Sequence, residues 1–339
     1  MKVIGGILAG GYGKRLQPLT NNYPKVLLEI KDNYSILEKQ LNDLRFAGLN
    51  EVFLMVGHLY EKILEKFGEK WKNIKLTYLI EEKPKGTHFA IGNALEHANC
   101  DMLIVNGDVI HDFNLKKFME IANRRPEPIL IAVTKMPSPY GIVTVEENKI
   151  TSFIEKPILP YFINAGVYYF KRDALNYFKH EYHHTDIERT IFPKAASEGA
   201  IASYSEDVFW HSIDSIKDLE LVREHYKNRE DKPWGYERIV VSNEKYLVKE
   251  LYIKGGFRTS IHYHENKDET INTFKGFGFV EFYDEQLNLI KKEKLVQGNP
   301  VRIMPKQIHS LIAEENLLLE EYSTPHPYDV VRVKDFYLR

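Results

Sequence analysis

The spacing of apolar residues changes near residue 222, and this change constrains the fold more than any other feature of the sequence. Before it, short apolar runs bounded by turn residues alternate with segments of 8 to 13 residues that have helical periodicity. In chain order these runs and segments are 3–8, 35–47, 52–56, 60–67, 76–80, 89–97, 102–105 and 115–122. Such alternation is typical of βαβ units and predicts an α/β domain whose mainly parallel sheet is covered by helices on both faces. Ligands of such sheets bind outside the carboxyl ends of the strands, so the residues after each run are the first candidates for chemistry.

After residue 222 the helical periodicity is almost lost. A polar and charged segment at 224–233 precedes short segments of alternating polarity, which are 246–252, 277–283, 301–304 and 317–322. Strands of this kind, separated by Gly, Asn and Pro, predict a small antiparallel barrel or sandwich. We therefore predict two domains, 1–228 and 229–339.

Composition limits the classes of partner. Of the 339 residues 43% are hydrophobic, which is enough for two cores. The 46 Lys and Arg nearly balance the 48 Asp and Glu, and this balance argues against non-specific binding to nucleic acid or to a membrane surface. No stretch approaches the roughly 18 apolar residues that span a bilayer. The single cysteine, Cys100, excludes an intramolecular disulfide, and the first residues hold no signal-peptide cleavage site, so we expect a cytoplasmic protein.

The loop after the first apolar run combines glycines with basic residues. Gly10, Gly11 and Gly13 precede Lys14 and Arg15, and a further cation follows in the pair Pro24-Lys25. The loop completes neither G-x-G-x-x-G nor a P-loop, and glycines alone fit a tight turn equally well. Because a glycine backbone can approach a phosphate closely and Lys and Arg bind its charge, the combination predicts a polyphosphate site.

The sequence GILAGGYGKRLQPLT followed by PKVLLEI resembles the signature of sugar-nucleotide pyrophosphorylases, the nucleotidyltransferases that make NDP-sugars from an NTP and a sugar 1-phosphate. The resemblance implies a Rossmann-like, GT-A-like mixed sheet for the first domain. It assigns the β and γ phosphates to Arg15 and the reacting phosphates to Lys25. It assigns the base and ribose to the main chain of the loop, at Leu8, Ala9, Gly10, Gly11 and Gly13.

Two further motifs follow in the family order. The turn at 82–87 resembles the base-recognition turn, which makes Glu82, Gly86 and Thr87 candidate base-binding residues. Asp108 after the fourth run and Asp214 in the sequence WHSID match the two carboxylates that bind Mg²⁺ in the family, and carboxylates suit this hard cation. Taken singly, an aspartate after a strand is more often a helix cap or a turn residue. The motif order favours a catalytic set of Arg15, Lys25 and Asp108.

The resemblance assigns recognition of the sugar to three motifs, Tyr140-Gly141, Glu155-Lys156-Pro157 and Asn164-Ala165-Gly166. In the family, Glu and Asn at such positions bind sugar hydroxyls, glycine offers its backbone, and lysine binds the sugar phosphate. The candidates are therefore Gly141, Glu155, Lys156, Asn164 and Gly166. The bland alternative is that Glu155 and Lys156 form an exposed charged pair before a turn proline.

The second domain contains four candidate metal ligands, His262, His264, Glu269 and His309. Their spacing, with Gly256, Gly276 and Gly298, resembles the cupin motifs and implies an all-β jelly roll. Residues two apart on a strand share a face, so the first two imidazoles would point together. Three His and one Glu suit a divalent transition metal, without distinguishing Zn²⁺, Fe²⁺, Mn²⁺ and Ni²⁺. A single His would more often be an ordinary surface or core residue.

Flanking segments narrow this second resemblance. The sequence KPWG at 232–235 and the segments 321–324 and 329–337 are similar to type II phosphomannose isomerase domains, which follow the nucleotidyltransferase in bifunctional mannose-1-phosphate guanylyltransferase/mannose-6-phosphate isomerases. In that family Arg332 would match a phosphate-binding residue. His262 stands where the family usually has Gln, and Lys267 where it has Arg. These departures leave isomerase activity open, whereas binding of a metal by the four candidate ligands is still expected.

Together these observations predict a Mg²⁺-dependent nucleotidyltransferase fused to a metal-binding cupin, with GTP and mannose 1-phosphate as the favoured substrates. The alternatives are dTTP or UTP with glucose 1-phosphate, GTP with a heptose 1-phosphate, an inactive sugar-nucleotide sensor, and a cupin that only binds or epimerises a sugar. The expected partners are small molecules, with neither nucleic acid nor membrane. Because cupins often pair through their sheets, we also expect a homodimer.

Overall fold

The computed structural model describes residues 2–83, 85–180, 183 and 185–337. The chain divides into two compact units, Met1–Val222 and Arg223–Arg339, six residues before the boundary predicted at 228. Each unit is described by itself below as the N-terminal or the C-terminal unit. In the described residues, no helix has the length and apolar character needed to cross a membrane.

The helices lie mainly in the first 226 residues. They are α1 Ile36–Phe46, α2 Tyr60–Phe67, α3 Thr87–Ala98, α4 Leu115–Arg124, α5 Leu175–Phe178, α6 Ile191–Ser197 and α7 Ile216–Tyr226. The strands up to residue 212 are β1 Val3–Leu8, β2 Glu29–Lys31, β3 Tyr34–Ser35, β4 Glu51–Val56, β5 Lys70–Trp71, β6 Ile74–Ile80, β7 Asp101–Asn106, β8 Val109–His111, β9 Ile129–Pro137, β10 Ile142–Glu146, β11 Lys149–Ile154, β12 Ile158–Phe170, β13 Ile201–Ser205 and β14 Trp210–Ser212.

Among the described residues, eight strands of the N-terminal unit form one sheet in the order β13-β9-β12-β7-β1-β4-β6-β5. The pairs β1 with β4, β1 with β7, β4 with β6 and β9 with β13 are parallel. Strand β12 runs antiparallel to both β7 and β9. The chain reaches β12 from β9 through the hairpin β10–β11 instead of a crossover helix, and a crossover is what a parallel entry requires. The Rossmann-like α/β prediction is confirmed, with a mixed sheet.

Helices cover both faces of this sheet, as the apolar periodicity predicts. Helix α1 begins with a capping box in which Ser35 and Glu38 bond each other's backbone amides. Its residues Leu37, Leu41 and Leu44 are fully buried in one core, and each contributes about 2 kcal/mol by burial. Helix α3 packs into a second core on the opposite face. The strands between the two cores are therefore apolar on both sides.

The C-terminal unit consists of strands β15 Arg229–Lys232, β16 Gly235–Ser242, β17 Leu247–Ile253, β18 Ile261–Tyr263, β19 Glu269–Lys275, β20 Gly278–Tyr283, β21 Leu289–Leu295, β22 Val301–Ile303, β23 Ile308–Ala313, β24 Leu317–Ser323 and β25 Val331–Lys334. In its described part, two sheets have the orders β15-β16-β17-β24-β19-β22 and β21-β20-β23-β18-β25. The strand pairs are antiparallel. One core joins the sheets, with Leu251 and Leu319 from the first and Val280 and Leu311 from the second.

Candidate active site and a buried histidine cluster

A cavity of about 400 Å³ opens in the N-terminal unit where β1, β4 and β7 end. Ligands of such sheets bind at this edge. The cavity brings together many of the residues that the sequence singled out, namely Leu8, Ala9, Gly10, Gly11, Gly13, Arg15, Lys25, Gly86, Thr87, Asp108 and Asp214. Residues from the beginning and the end of the N-terminal unit thus line one space.

Backbone contacts shape the glycine loop. The amide of Ala9 donates to Met55 O at 2.8 Å, and the amide of Gly107 donates to Leu8 O at 3.0 Å. A Cβ atom on Gly107 would lie 2.1 Å from that carbonyl oxygen, so only glycine permits this approach. Gly13 adopts φ 61°, a left-handed conformation that favours glycine. This turn leads directly into the short 3-10 helix Lys14–Leu16, which carries the two basic residues.

Two carboxylates and two cations face one another at one end of the cavity. Lys25 Nζ lies 2.9 Å from Asp108 Oδ2 and 3.6 Å from Asp214 Oδ1, and Arg15 Nη2 lies 2.7 Å from the same Asp214 oxygen. Both aspartates approach one ammonium nitrogen, so a cation near that position can contact both. Mg²⁺ takes carboxylate oxygens together with waters and substrate phosphates, and the aspartates fit such an ion. With Mg²⁺ bound to the aspartates, Lys25 and Arg15 would be available to bind phosphate oxygens.

The loop that carries Asp108 is held from behind by Gln40, a residue that the sequence did not single out. Gln40 Nε2 donates to Asn106 O at 2.8 Å and to Val109 O at 2.9 Å, on either side of Gly107-Asp108. Gln40 lies in α1 and is 1% exposed. A sequence pattern could not identify it, because its partners lie more than 60 residues away.

Asp214 is held in a similar way by Asp218. The Asp218 carboxylate accepts hydrogen bonds from the Asp214 amide at 3.1 Å and the Ser215 amide at 2.7 Å. The Ser215 hydroxyl also donates to it, and His211 Nε2 lies 3.2 Å away. Burial alone would raise the pKa of Asp218, but these hydrogen bonds outweigh burial and hold the pKa below its usual range. Asp218 therefore stays ionised at the start of α7, where a negative charge is favourable.

The base-recognition turn shows a second residue that the sequence analysis missed. Glu81, the first residue after β6, lines the cavity, whereas Glu82 is not among the lining residues. The rule that sites follow strand ends could have found Glu81. Gly86, with φ 89°, approaches Thr185 so closely that a Cβ atom would lie 2.4 Å from its carbonyl oxygen. Pro84, inside this turn, lies outside the described residues.

The predicted sugar-binding residues do not line this cavity. Asn164 Oδ1 accepts a hydrogen bond from the Gly166 amide at 2.9 Å, and Gly166 adjoins Asn106, which lines the cavity. Glu155 and Lys156 are exposed, and Lys156 Nζ lies 3.6 Å from Glu155 Oε1. The Glu155 side chain also lies beside Gly141. Asn164 and Gly166 thus lie next to the cavity, while the other three lie on or beside the β10–β11 hairpin.

The sequence model of the family described as nucleotidyl transferase matches residues 4–229. The chain belongs to this family. A mannose-1-phosphate guanyltransferase of Aspergillus oryzae is 33% identical over 226 residues, which are 63% of this chain and 61% of that protein. The mannose-1-phosphate guanylyltransferase catalytic subunit beta of Xenopus tropicalis is 34% identical over 224 residues, with coverage of 63% and 61%. The chain thus spans about 61% of the length of these curated relatives.

Solved structures agree on the fold of the nucleotidyl transferase unit. HddC from Yersinia pseudotuberculosis superposes with a TM-score of 0.54 at 23% identity, over 67% of this chain and 100% of that one. The same protein complexed with GMP-PN gives a TM-score of 0.53 at 22% identity, with the same coverage. At such identity the likeness concerns the fold alone.

Beyond the family match, three histidines meet in the C-terminal unit. His262 in β18 pairs across the strands with His309 in β23, and His264 follows β18 directly. Their ring nitrogens come within 4.8 Å of one another. His262 Nδ1 lies 2.8 Å from Ser260 O, His309 Nδ1 lies 2.9 Å from Gln307 O, and His264 Nδ1 contacts Asp329 O. Donation from Nδ1 to a carbonyl leaves Nε2 as a lone-pair donor.

Glu269 completes this cluster. Its Oε1 atom lies 3.4 Å from His264 Nε2 and 3.3 Å from His309 Nε2, while its Oε2 atom lies 2.6 Å from Lys267 Nζ. The two Nε2 atoms are buried without a hydrogen-bond partner. In the neutral tautomer with Nδ1 protonated, each Nε2 atom and the carboxylate oxygen are acceptors, and a cation between them would bind both. The donor set therefore fits a divalent transition metal.

The charge states of the cluster agree with this fit. Burial, and then the neighbouring His309, hold the pKa of His262 well below its usual value, which keeps the ring neutral. Burial alone would raise the pKa of Glu269, but His264, His309 and Lys267 outweigh it and hold the pKa well below its usual range. A neutral imidazole, as at His262, and an ionised carboxylate, as at Glu269, are the ligand forms that a metal requires.

A second acidic residue holds the loop between these ligands. The Asp329 carboxylate accepts hydrogen bonds from three successive backbone amides, those of Glu265, Asn266 and Lys267, at 2.7–3.0 Å. Its own carbonyl group binds His264. In the sequence, Asp329 is recognisable only as part of a flanking motif. The contact fixes the loop that connects His264 to Glu269.

Proposed function

We propose that the N-terminal unit transfers a nucleoside monophosphate from an NTP to a sugar 1-phosphate and releases pyrophosphate. The observation that carries this proposal is the group of Lys25, Arg15, Asp108 and Asp214 at one end of the cavity. Two polyanions must meet for this reaction, and a site without cations could not overcome their repulsion. Membership of the nucleotidyl transferase family supports the same reaction class.

In the reaction, an oxygen of the sugar phosphate attacks the α-phosphorus of the NTP. The bond between the α-phosphorus and the oxygen that bridges to the β-phosphate breaks, and pyrophosphate leaves. Lys25, 12% exposed, would neutralise charge at the reacting phosphates, and Arg15, 76% exposed, would bind the leaving phosphates. Asp108 and Asp214 would hold Mg²⁺, which supplies further positive charge to the phosphates when bound.

GTP and mannose 1-phosphate are the substrates that we propose. The relatives named mannose-1-phosphate guanyltransferase support this pair. Glu81 gives a physical reason for guanine, because a carboxylate can accept from both the N1–H and the 2-amino group of that base. Uracil and thymine offer a single N–H between two carbonyl oxygens, which a carboxylate repels.

A pyrophosphate-release assay that crosses five NTPs with several sugar 1-phosphates tests these proposals. We expect the highest kcat/KM with GTP and mannose 1-phosphate, and loss of turnover in Asp108→Ala. The matched control is Asp173→Ala, an exposed aspartate outside the cavity lining, which should keep full turnover. Preference for dTTP or UTP, or for a heptose 1-phosphate, would replace the substrate proposal. A folded protein that binds GTP but turns over no pair would be a sensor, which would refute the transferase.

For the C-terminal unit we propose a cupin jelly roll that binds one divalent transition metal through His262, His264, Glu269 and His309. The chamber around these ligands measures about 80 Å³, whereas a ligand pocket typically has about 300 Å³ or more. Metal binding needs no larger space, and we therefore propose it without isomerase activity, although Arg332 also lines the chamber. Elemental analysis should find one transition metal per chain. Conversion of mannose 6-phosphate to fructose 6-phosphate by the loaded protein would add the isomerase function.

A further inference from the structure

The turn that leads into α3 borders the cavity but has no side chain to cap the helix. Gly86 stands at the N-cap position, and a glycine cannot accept a side-chain hydrogen bond from the first amides of a helix. Gly86, Thr87 and Ala90 all line the cavity, so the position of this turn contributes to the shape of the site. The first amides of α3 therefore need a partner from solvent or from elsewhere in the chain.

Residues 185–190, about 100 positions further along the chain, supply such a partner and are here called the bracing segment. The His88 amide, in the first turn of α3, donates to Thr185 O at 2.9 Å. In return, the Ile187 amide donates to Thr87 Oγ1 at 3.0 Å. This exchange is similar to a capping box whose two halves come from distant parts of the chain.

The side chain of His88 forms a second connection to the bracing segment. Its Nδ1 atom lies 3.2 Å from Thr190 Oγ1, and its ring packs edge-on against Phe178, with 5.5 Å between the ring centroids. The Thr190 hydroxyl also donates to Asp186 O at 2.8 Å. Thr190 is only 3% exposed, and its hydroxyl group thus connects two parts of the bracing segment with α3.

The bracing segment is itself held by the core. Ile187 is fully buried in the same core as Ile191 of α6 and Ala90 of α3. The turn contacts this segment through its backbone, because a Cβ atom on Gly86 would lie 2.4 Å from Thr185 Cβ. A turn at the edge of the cavity is thus packed against a buried part of the fold. Support of this kind keeps binding groups in a precise geometry.

We propose that the bracing segment positions the turn at Gly86 and Thr87 and thereby sets the affinity of the site for the nucleotide, with Thr190 as a positioning residue. Residues 185–190 are not among the described residues that line the cavity, so Thr190 acts through His88 and the turn. The groups proposed to bind the reacting phosphates belong to other loops. The inference rests on the proposed nucleotide site, and loss of the brace should weaken nucleotide binding more than it slows the chemical step.

Thr190→Val tests the proposal, because it nearly retains the shape of the side chain and removes the hydroxyl group. We expect the Kd of GTP, measured by calorimetry with the full chain, to rise about 5-fold, the scale for loss of one hydrogen bond. At saturating substrates, kcat should stay within about two-fold of the wild type. Thr190→Ser keeps the hydroxyl group and should restore the affinity. Thr273→Val, at a similarly buried threonine of the C-terminal unit, is the matched control.

Hydrogen exchange reports on the brace itself. In Thr190→Val the amides of residues 86–90 should exchange faster than in the wild type, while those of α4 should not change. If Thr190→Val does not fold, His88→Phe makes the same two predictions, because it keeps a ring beside Phe178 and removes both ring nitrogens.

Three results would overturn the proposal: an unchanged Kd of GTP in Thr190→Val, weaker binding that Thr190→Ser does not restore, and a fall in kcat at unchanged Kd. Failure of the proposed function gives a different result. A wild type that binds GTP without turnover would refute the transferase, and the comparison of GTP affinities would still decide the role of Thr190. A wild type that binds no nucleotide would overturn both proposals.

Discussion

The two groups of candidate metal ligands in this chain lie in opposite environments. In the N-terminal unit, Asp108 and Asp214 are 37% and 34% exposed and border a cavity of about 400 Å³. In the C-terminal unit, His264, Glu269 and His309 are 1–3% exposed around a chamber of about 80 Å³. The first group can exchange its ion together with bulky substrates, whereas the second can retain an ion for long periods.

The two groups of candidate ligands also differ in the kind of ion that their chemistry suits. Two carboxylates beside the cations Lys25 and Arg15 suit a hard ion that shares its ligand shell with phosphates. Three imidazoles whose Nδ1 atoms are fixed by backbone carbonyl groups suit a softer ion in a rigid site. We therefore expect that an ion held by the first group would belong to the substrate complex, and that an ion held by the second would belong to the protein.

The largest expected effect comes from Lys25. In Lys25→Met the length of the side chain is nearly retained, but its positive charge is lost. Asp108 and Asp214 then repel each other without a cation between them, and the phosphates also lose a positive partner. Pyrophosphate release should fall about 100- to 1,000-fold, the scale for loss of one group that stabilises developing charge. Metal content of the C-terminal unit should not change. Turnover near that of the wild type would contradict the role of Lys25, and exposed Lys149→Met serves as the control.

The second expected effect concerns the histidine cluster. His309→Ala removes a ligand from a buried set and should weaken metal binding by more than about 100-fold, beyond the scale for residues that only orient a ligand. Competition with a chelator, read by elemental analysis, measures this change. Pyrophosphate release should stay at the wild-type level. Full metal occupancy in the variant, against full occupancy in the exposed control His326→Ala, would refute the site.

Local patterns predicted the elements of the fold well because helices and strands have characteristic apolar periods. The run at 3–8 and the segment at 60–67 coincide with β1 and α2. The antiparallel position of β12 was not predicted, since it depends on strand pairing between distant residues and no local period encodes it. The exposed β10–β11 hairpin was missed for the same reason, because a segment of alternating polarity is equally compatible with an edge strand that has one buried face.

The sequence predicted residues that line the candidate site, but not the residues that hold their loops in place. The glycine loop with Lys25, Asp108 and Asp214 followed from motif order, although 106 positions separate the two aspartates and spacing alone could not pair them. Gln40 and Asp329 act through backbone groups of distant loops, and a hydrogen bond to a carbonyl or an amide leaves no residue-type pattern at the partner. Such supporting residues become visible only in three dimensions.

A moderate effect is expected from Gln40, whose side chain supports the loop that carries Asp108. Gln40→Leu keeps the volume and leaves the carbonyl groups of Asn106 and Val109 without their donor. We expect kcat to fall about 10-fold, because a small displacement of Asp108 is costly. KM for GTP should change little. An unchanged kcat in a folded variant would show that the loop does not need this support.

The smallest expected effect comes from Asp218, which forms a capping box with Ser215 at the start of α7 and also binds the amide of Asp214. Asp218→Asn should lower the free energy of unfolding by about 1 kcal/mol and reduce turnover only a few fold. Urea unfolding followed by circular dichroism measures the first effect. Ser205→Ala, an exposed position at the end of β13, is the control.

The pH dependence of this effect has a definite sign. Because the pKa of Asp218 is lower in the folded chain than its unfolded value of about 3.9, the carboxylate contributes stability above that pH, and the contribution is lost as the pH falls through the folded pKa. The difference in unfolding free energy between the wild type and Asp218→Asn should therefore be constant near neutral pH and shrink below about pH 4. A difference that grows on acidification would mean that the protonated form is the better cap, and Asp214 would then owe its position to other contacts.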